Sequence, residues 1–201
     1  MIRLLIADDE NLIRGAVAAL LSLEDDLTIV AEAATGAEAV AMALHHKPDV
    51  AVLDLQMPGK DGVEVARELS RVLPACKALI VTSHGIPGHL RRALGNGVKG
   101  FVGKTVSARQ LATIIRIVHA GRRYIDPDIA SEAISAGESP LTPREADILS
   151  MAADGAPIEE IADRAALAAG TVRNYLSAAT TKLGAENRHA AAHLARRRGW
   201  I

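Results

Sequence analysis

The chain has 201 residues, of which 49% are hydrophobic and 2% aromatic, and its formal net charge is -1 at pH 7. This length suits two small domains that each bury a core. The balanced charge excludes a protein that attracts nucleic acid or membrane by its overall charge alone. The longest apolar run, residues 15–23, is far shorter than the ~20 residues of a membrane span, and no leader pattern is present. We therefore expect a cytoplasmic protein with no direct membrane insertion.

The first 125 residues alternate short, β-rich apolar runs with helical patterns. Five such runs separated by helices predict an α/β fold with a five-stranded parallel sheet. In sheets of this kind, ligands bind at the carboxyl ends of the strands. The predicted strands are residues 2–7, 27–33, 49–55, 77–83 and 99–104, and the predicted helices are residues 11–23, 36–46, 61–72, 86–96 and 107–120.

Three carboxylates lie at the carboxyl ends of these strands. Asp8 and Asp9 follow the first strand, and Asp54 lies at the end of the third. Like charges so close together are destabilising unless a cation compensates them. Mg2+ prefers oxygen ligands and keeps several waters, so a few carboxylates and one main-chain carbonyl are enough to bind it. We therefore predict a magnesium site formed by Asp8, Asp9, Asp54 and the carbonyl of Gln56.

The fourth and fifth predicted strands add a hydroxyl at Thr82 and an ammonium at Lys104 to the same edge. Phosphoryl transfer depends mainly on positioning and charge neutralisation. Lys104 and the metal would offset the phosphoryl oxygens, Thr82 would donate a hydrogen bond, and Asp54 would be the nucleophile. Taken singly, these residues have ordinary interpretations as a strand threonine, a solvated lysine and a helix cap. Their combination favours a phosphoryl site.

This arrangement resembles the receiver domain of two-component response regulators over essentially all of residues 1–125. The resemblance implies a flavodoxin-like fold in which Asp8 and Asp9 bind Mg2+ and a sensor histidine kinase phosphorylates Asp54. It also implies that Thr82 and Lys104 complete the site, and that Thr82 and Phe101 form the conformational switch. A lone aromatic residue on the last strand is equally compatible with a position in the core.

Cys76 and His84 are two further residues whose side chains could be reactive. Cys76 is the single cysteine and precedes the apolar run "ALIV", so we interpret it as a packing residue rather than a reactive thiol. His84 stands two residues after Thr82. We hypothesise that it influences how fast a phosphoryl group on Asp54 hydrolyses.

The remainder of the chain has a different character. Residues 126–140 are rich in proline, serine, glycine and acid and are interpreted as a linker, within which residues 128–136 fit a short helix. Residues 141–201 show only helical patterns and are predicted to form a separate domain. Its first helix is predicted from a capping box of Thr142, Pro143 and Glu145. The predicted helices are residues 143–154, 157–165, 170–183 and 188–198.

The third of these helices has the features of a DNA-reading helix. Apolar residues at helical spacing predict one buried stripe, which leaves a polar face suited to reading base edges. Residues 167–201 carry six basic residues against one acid, whereas residues 138–166 carry seven acids against two basic residues. A solvated basic helix pair is the alternative interpretation. The predicted stripe is Val172, Leu176, Ala179 and Leu183, and the predicted outward residues are Arg173, Asn174, Ser177 and Thr181.

The order "LTPRE…ILSMAADG…EIAD…TVRNYLS…KLGAENR" resembles the helix-turn-helix of the LuxR/NarL class. Together with a receiver, it indicates a NarL/FixJ-type response regulator. Asn187 is expected to brace a turn. Ala168 and Ala169 stand where this class commonly has a serine, and the missing cap should weaken the helix by ~1 kcal/mol. The resemblance implies phosphate contacts from Thr171, Lys182 and Arg188 and base contacts from Arg173, Asn174 and Ser177.

These features predict a transcription factor rather than an enzyme. A sensor histidine kinase would phosphorylate Asp54, and the protein would then dimerise and bind double-stranded promoter DNA, with RNA polymerase as a possible further partner. The details "LEDD", "MPGK", "TVRNY" and "RRGW" resemble the DesR-type branch, which implies control of membrane-lipid desaturase genes.

Two alternatives belong to other classes. The first is a DNA-binding regulator that works without phosphorylation. The second is a phosphohydrolase with an aspartate nucleophile, which would need an acid two residues after Asp54. Leu55 and Gln56 follow instead, and this disfavours the hydrolase.

Overall fold

A computed structural model describes residues 1–83, 87–135, 137, 139–153 and 155–201. His84, for which a role in phosphoryl hydrolysis was hypothesised, lies outside the described residues. The chain divides into two compact units. Of the described residues, the N-terminal unit contains 1–83 and 90–130, and the C-terminal unit contains 87–89 and those from 131 to 201. Within the described part of the chain, every helix is too short or too polar to cross a bilayer.

The N-terminal unit is built on a parallel β-sheet with the strand order β2-β1-β3-β4-β5-β6. This confirms the predicted parallel α/β class. The described helices alternate with the strands along the chain, as the sequence pattern requires. The elements are β1 (Ile2–Ala7), α1 (Asn11–Leu21), β2 (Leu27–Ala33), α2 (Gly36–His46), β3 (Val50–Asp54), α3 (Gly62–Val72), β4 (Lys77–Thr82), α4 (Pro87–Gly95), β5 (Gly100–Gly103), α5 (Ala108–His119) and β6 (Tyr124–Ile125).

The sheet has six strands rather than the five predicted. The additional strand, β6, is only two residues long and pairs in parallel with β5. Two main-chain N–H groups join this segment to β5: Tyr124 donates to the carbonyl of Lys99 at 2.9 Å, and Asp126, just after the strand, donates to the carbonyl of Phe101 at 2.9 Å. A strand of this length has too few residues to show a period-2 pattern, so periodicity could not predict it.

Both faces of the sheet are covered, which explains why its strands are continuous apolar runs. On one face, alternate residues of the central strands pack against α1 and α5 in a single core cluster that includes Leu4, Val52 and Ile115. Residues of opposite parity, such as Leu5 and Leu53, are also fully buried.

Burial raises the pKa of the Cys76 thiol to about 11. This agrees with its interpretation as a packing residue.

The C-terminal unit has its own apolar core, formed by its helices and by residues of the segments that flank them. The capping box is confirmed: Glu145 N–H donates to Thr142 Oγ1 at 3.3 Å, and Thr142 N–H donates to Glu145 Oε2 at 2.7 Å. The predicted short helix within residues 126–140 is present as α6 (Pro127–Ser135), and Asp126 caps it. The domain helices are α7 (Pro143–Ala153), α8 (Ile158–Ala165), α9 (Ala169–Lys182) and α10 (Arg188–Arg198).

The turn between α8 and α9 contains an unusual backbone conformation. Ala166 follows α8 in the left-handed region, with φ 53° and ψ 48°. Leu167 N–H donates back to the carbonyl of Ala162 at 2.9 Å, which closes the end of the helix. Glycine usually fills this position because its missing Cβ removes the steric cost. The alanine therefore imposes local strain on this turn.

Candidate functional site

Three carboxylates lie together at the carboxyl edge of the sheet, and we call Asp8, Asp9 and Asp54 the acid edge. Ala7 on β1 pairs with Leu53 on β3, so the residues that follow them emerge side by side. One oxygen from each carboxylate lies within 4.8 Å of the others. Asp8 and Asp54 are buried, whereas Asp9 is exposed. The predicted convergence of these side chains is therefore present.

The cation that compensates these charges is Lys104. Its Nζ lies 2.8 Å from Asp8 Oδ2 and 3.3 Å from Asp54 Oδ1. Its backbone N–H donates to the carbonyl of Thr82 at 2.8 Å, which fixes the lysine beside β4. A third acid, Glu10, places Oε1 3.3 Å from the same Nζ. No sequence pattern predicted a role for Glu10, because an acid at the start of a helix is usually a solvated residue.

Main-chain donors and an arginine hold the acid edge in place. The N–H of Glu10 donates to Asp8 Oδ1 at 2.9 Å, and the N–H of Gln56 donates to Asp54 Oδ2 at 3.2 Å. Arg14 donates to the main-chain carbonyl of Asp8 at 2.7 Å and forms an ion pair with Glu32 at 3.4 Å. Arg14 therefore ties the start of α1 to the ends of β1 and β2. Nothing in the local sequence pattern signalled this role.

Burial and charge shift the pKa values of the two central groups. Burial raises the pKa of Asp54, the Asp8 charge adds to this effect, and Lys104 opposes it. For Lys104, burial lowers the pKa, but its hydrogen bond with Asp8 and the charge of Asp54 outweigh burial, so the net shift is upward. Lys104 therefore stays protonated at neutral pH. Asp54 is poorly solvated and gains from any cation placed beside it.

A glycine sets the path of the chain after Asp54. The N–H of Gly62 donates to the carbonyl of Leu55 at 3.0 Å, which returns the loop to the end of β3. A Cβ at position 62 would lie 2.2 Å from the main-chain oxygen of Asp54. Only glycine therefore permits this close approach.

The remaining predicted residues of the N-terminal unit lie as follows. Thr82 ends β4 and is buried beside Gly103 in the β4–β5 pairing. Gln56 is exposed, and its role as a carbonyl ligand stays a prediction. Phe101 is fully buried on β5, paired in register with Ile80. It is a core residue in this conformation, and its switching role stays a prediction.

The acid edge fits Mg2+ by the chemistry of its donors. Its three side chains offer only carboxylate oxygens, which are the ligands that this ion prefers. Asp8 and Asp54 are held by main-chain N–H groups. Each carboxylate oxygen has two lone pairs, so these hydrogen bonds leave acceptor capacity for a cation.

In the C-terminal unit, α9 divides into the two faces that its spacing predicts. Val172, Leu176 and Ala179 are buried, and Leu183, just past the helix end, is half-buried. No side chain caps α9 at Ala168, as the sequence predicts. The residues of the polar face, Arg173, Asn174, Ser177 and Thr181, are exposed.

The residues expected to contact phosphate have different surroundings. Thr171 and Arg188 are half-buried. Lys182 is already engaged, because its Nζ lies 2.7 Å from Oε2 of the buried Glu145 on α7. This hydrogen bond, followed by that from Thr142, lowers the pKa of Glu145. Lys182 thus ties the end of α9 to the start of α7, a role that the sequence analysis missed.

Asn187 begins α10 as its N-cap. Its Oδ1 accepts hydrogen bonds from the N–H of His189 at 3.0 Å and of Ala190 at 2.9 Å. The expectation that Asn187 braces a turn is therefore confirmed. Arg173 on the exposed face of α9 forms a long ion pair with Glu159, at 3.8 Å, and both side chains are exposed. Solvent screens such a pair, so it holds Arg173 only weakly.

Comparisons with known proteins agree with this geometry. Residues 4–116 match the response regulator receiver domain family, and residues 139–195 match the bacterial regulatory proteins of the luxR family. The chain is 40% identical to the transcriptional regulatory protein DesR of Bacillus subtilis, with all of both chains covered. It is 35% identical to the DNA-binding transcriptional activator DevR/DosR of Mycobacterium tuberculosis, over 96% of this chain and 93% of that protein. A crystal structure of a LuxR-family two-component response regulator from Aurantimonas sp. superimposes with a TM-score of 0.64 at 32% identity, covering 67% of this chain and 96% of the other.

Proposed function

Because the chain belongs to the LuxR family of two-component response regulators, we propose that a phosphoryl group on Asp54 switches its DNA binding. The observation that carries this proposal is the position of Lys104, whose ammonium reaches both Asp8 and Asp54. A lysine in that position neutralises charge where a phosphoryl group on Asp54 would add it. The phosphodonor is a phosphohistidine of a sensor kinase.

The transfer is a displacement at phosphorus. One carboxylate oxygen of Asp54 bonds to phosphorus while the bond from phosphorus to the donor nitrogen breaks. The electron pair of that bond stays with the imidazole, which takes up a proton from solvent. Lys104 and the Thr82 hydroxyl hold the phosphoryl oxygens on the enclosed side of the site.

Mg2+, when bound by Asp8, Asp9, Asp54 and the Gln56 carbonyl, supplies positive charge to the phosphoryl oxygens. The protein's own contribution is to hold these oxygen donors in place beforehand. The main-chain N–H groups of Glu10 and Gln56 do this for Asp8 and Asp54. The residue two positions after Asp54 is Gln56 rather than an acid, and this disfavours turnover of an external phosphoester.

The C-terminal unit supplies the output. Arg173, Asn174 and Ser177 form an exposed polar face on α9 that suits base edges in the major groove. Thr171, Lys182 and Arg188 contact phosphates on either side of it. Phosphorylation favours a homodimer, and paired half-sites in promoter DNA match its symmetry.

The proposal for the target genes is supported by the sequence details that resemble the DesR-type branch and by the 40% identity with DesR. We propose that they include genes for membrane-lipid desaturation. Transcript levels compared between wild-type cells and cells carrying the Asp54→Asn variant test this part separately. Unchanged desaturase transcripts would remove it and leave the phosphorylation proposal intact.

The phosphorylation proposal is tested with acetyl phosphate and Mg2+ in place of the kinase. We expect one acid-stable, hydroxylamine-labile phosphate in the wild type and in Asp25→Asn, which removes an exposed carboxylate elsewhere in the same unit. Asp54→Asn should carry none. Label retained in Asp54→Asn would refute the assignment.

Gel-shift titrations of the same proteins test the output. Phosphorylated wild type should bind promoter DNA more tightly than Asp54→Asn. Equal affinities would identify a regulator that works without phosphorylation. Steady release of inorganic phosphate from an added phosphoester would identify a hydrolase instead.

A further inference from the structure

Glu10 is an unassigned third acid at the ammonium of Lys104. Its Oε1 lies 3.3 Å from Nζ, the same distance as Asp54 Oδ1. Its side chain is 57% exposed, whereas those of Asp8 and Asp54 are 8% and 7% exposed. Glu10 therefore contacts the lysine from the solvent side, and the two buried acids contact it from within.

The carboxylate of Glu10 makes no hydrogen bond that caps the adjacent helix. Glu10 occupies the N-cap position of α1, but its side chain makes no capping hydrogen bond. The contact with Asp8 uses the main-chain N–H of Glu10, which any residue other than proline supplies. A change of the side chain therefore removes the contact with Lys104 and leaves the hydrogen bond to Asp8 in place.

We propose that Glu10 is a positioning residue that holds Lys104 toward the rim of the site. It thereby raises the affinity of the acid edge for Mg2+ and lowers the rate at which Asp54 is phosphorylated. This inference rests on the proposed function. The carboxylate competes with phosphoryl oxygens for the same ammonium and also repels their charge. The same negative charge attracts a divalent cation, because cation affinity rises with the number of charged ligands nearby.

Neutralising Glu10 therefore has opposite effects on the two ligands. In Glu10→Gln, we expect Mg2+ binding to weaken by about two- to fivefold, as suits one partly screened charge. The rate of phosphorylation by acetyl phosphate at saturating Mg2+ should rise by about the same factor. A purely structural defect would weaken both, so the opposite signs identify the positioning role.

The test uses the full-length protein and a matched control. Glu68→Gln removes an exposed carboxylate that also pairs with a lysine, Lys60, at 2.6 Å, but on α3 and away from the acid edge. Isothermal titration with Mg2+ alone measures the first effect, and the initial rate of label incorporation measures the second. We expect Glu68→Gln to match the wild type in both.

The proposal is overturned if Glu10→Gln equals Glu68→Gln in either measurement or if both quantities move in the same direction. Failure of the proposed function gives a different pattern. In that case the wild type and both variants incorporate no label, while the Mg2+ titration still reports on Glu10.

Discussion

Glu145 links two helices of the DNA-binding domain, and its removal should destabilise that domain strongly. The buried carboxylate accepts a hydrogen bond from Thr142 N–H at 2.7 Å and forms an ion pair with Lys182 at 2.7 Å. Loss of a capping interaction costs about 1 kcal/mol. Loss of a hydrogen bond between charged groups costs about 1.5–3 kcal/mol.

The exposure of the lysine sets which end of that range applies. The Lys182 side chain is 38% exposed, so solvent screens its charge and the lower end is appropriate. We therefore expect Glu145→Ala to lower the free energy of unfolding by about 2.5 kcal/mol. Glu145→Gln keeps an acceptor for the cap but loses the charge, so it should lose about 1.5 kcal/mol.

The single tryptophan of the chain provides a local assay. Trp200 packs against the core of the C-terminal unit, so its fluorescence during urea unfolding reports on that unit. A double-mutant cycle between Glu145→Gln and Lys182→Met should give a coupling of about 1 kcal/mol. Equal losses in the alanine and glutamine variants, or no coupling, would contradict this account of the pair.

Three further outcomes are expected. The pKa of Glu145 is lowered in the folded state, so the ionised carboxylate stabilises the fold fully above its ordinary pKa of 4.5. This stabilisation is lost as the pH falls through the folded-state pKa. The unfolding free energies of wild type and Glu145→Gln, measured by Trp200 fluorescence, should therefore converge in acid. Ala166→Gly should raise the unfolding free energy by about 0.5–1 kcal/mol in the same assay, because it relieves a left-handed alanine. Lys104→Met should lower the thermal unfolding midpoint of the N-terminal unit, measured by circular dichroism in EDTA, because Asp8 and Asp54 lose the ammonium that offsets their charge. Excess Mg2+ should restore part of the loss, since it offsets the same two carboxylates.

The acid edge was predictable because it depends on topology and residue type. Carboxyl ends of parallel strands meet at one edge, so Asp8 and Asp54 had to be neighbours once their strands were identified. The contributions of Glu10 and Arg14 were not predictable. Both lie at the start of α1, and which neighbour each contacts depends on side-chain direction rather than on spacing.

In the helical domain, too, the faces of a helix could be predicted, whereas contacts between residues far apart in the sequence could not. The faces of α9 followed from its period, and the exposed Arg173 and Asn174 lie where the pattern predicts. The pairing of Lys182 with Glu145 joins residues 37 positions apart in the sequence. No local pattern encodes it, so the lysine was interpreted only as a DNA contact.

The close approach at Gly62 has a consequence for how this protein can be inactivated. Gly62 carries no charge, yet any larger residue there would collide with the main chain of Asp54, the proposed phosphorylation site. In a genetic selection for alleles that ignore their kinase, changes at Gly62 should therefore appear beside changes of the acids themselves. Such alleles would retain every charged group of the site and still displace the Asp54 carboxylate, the proposed nucleophile.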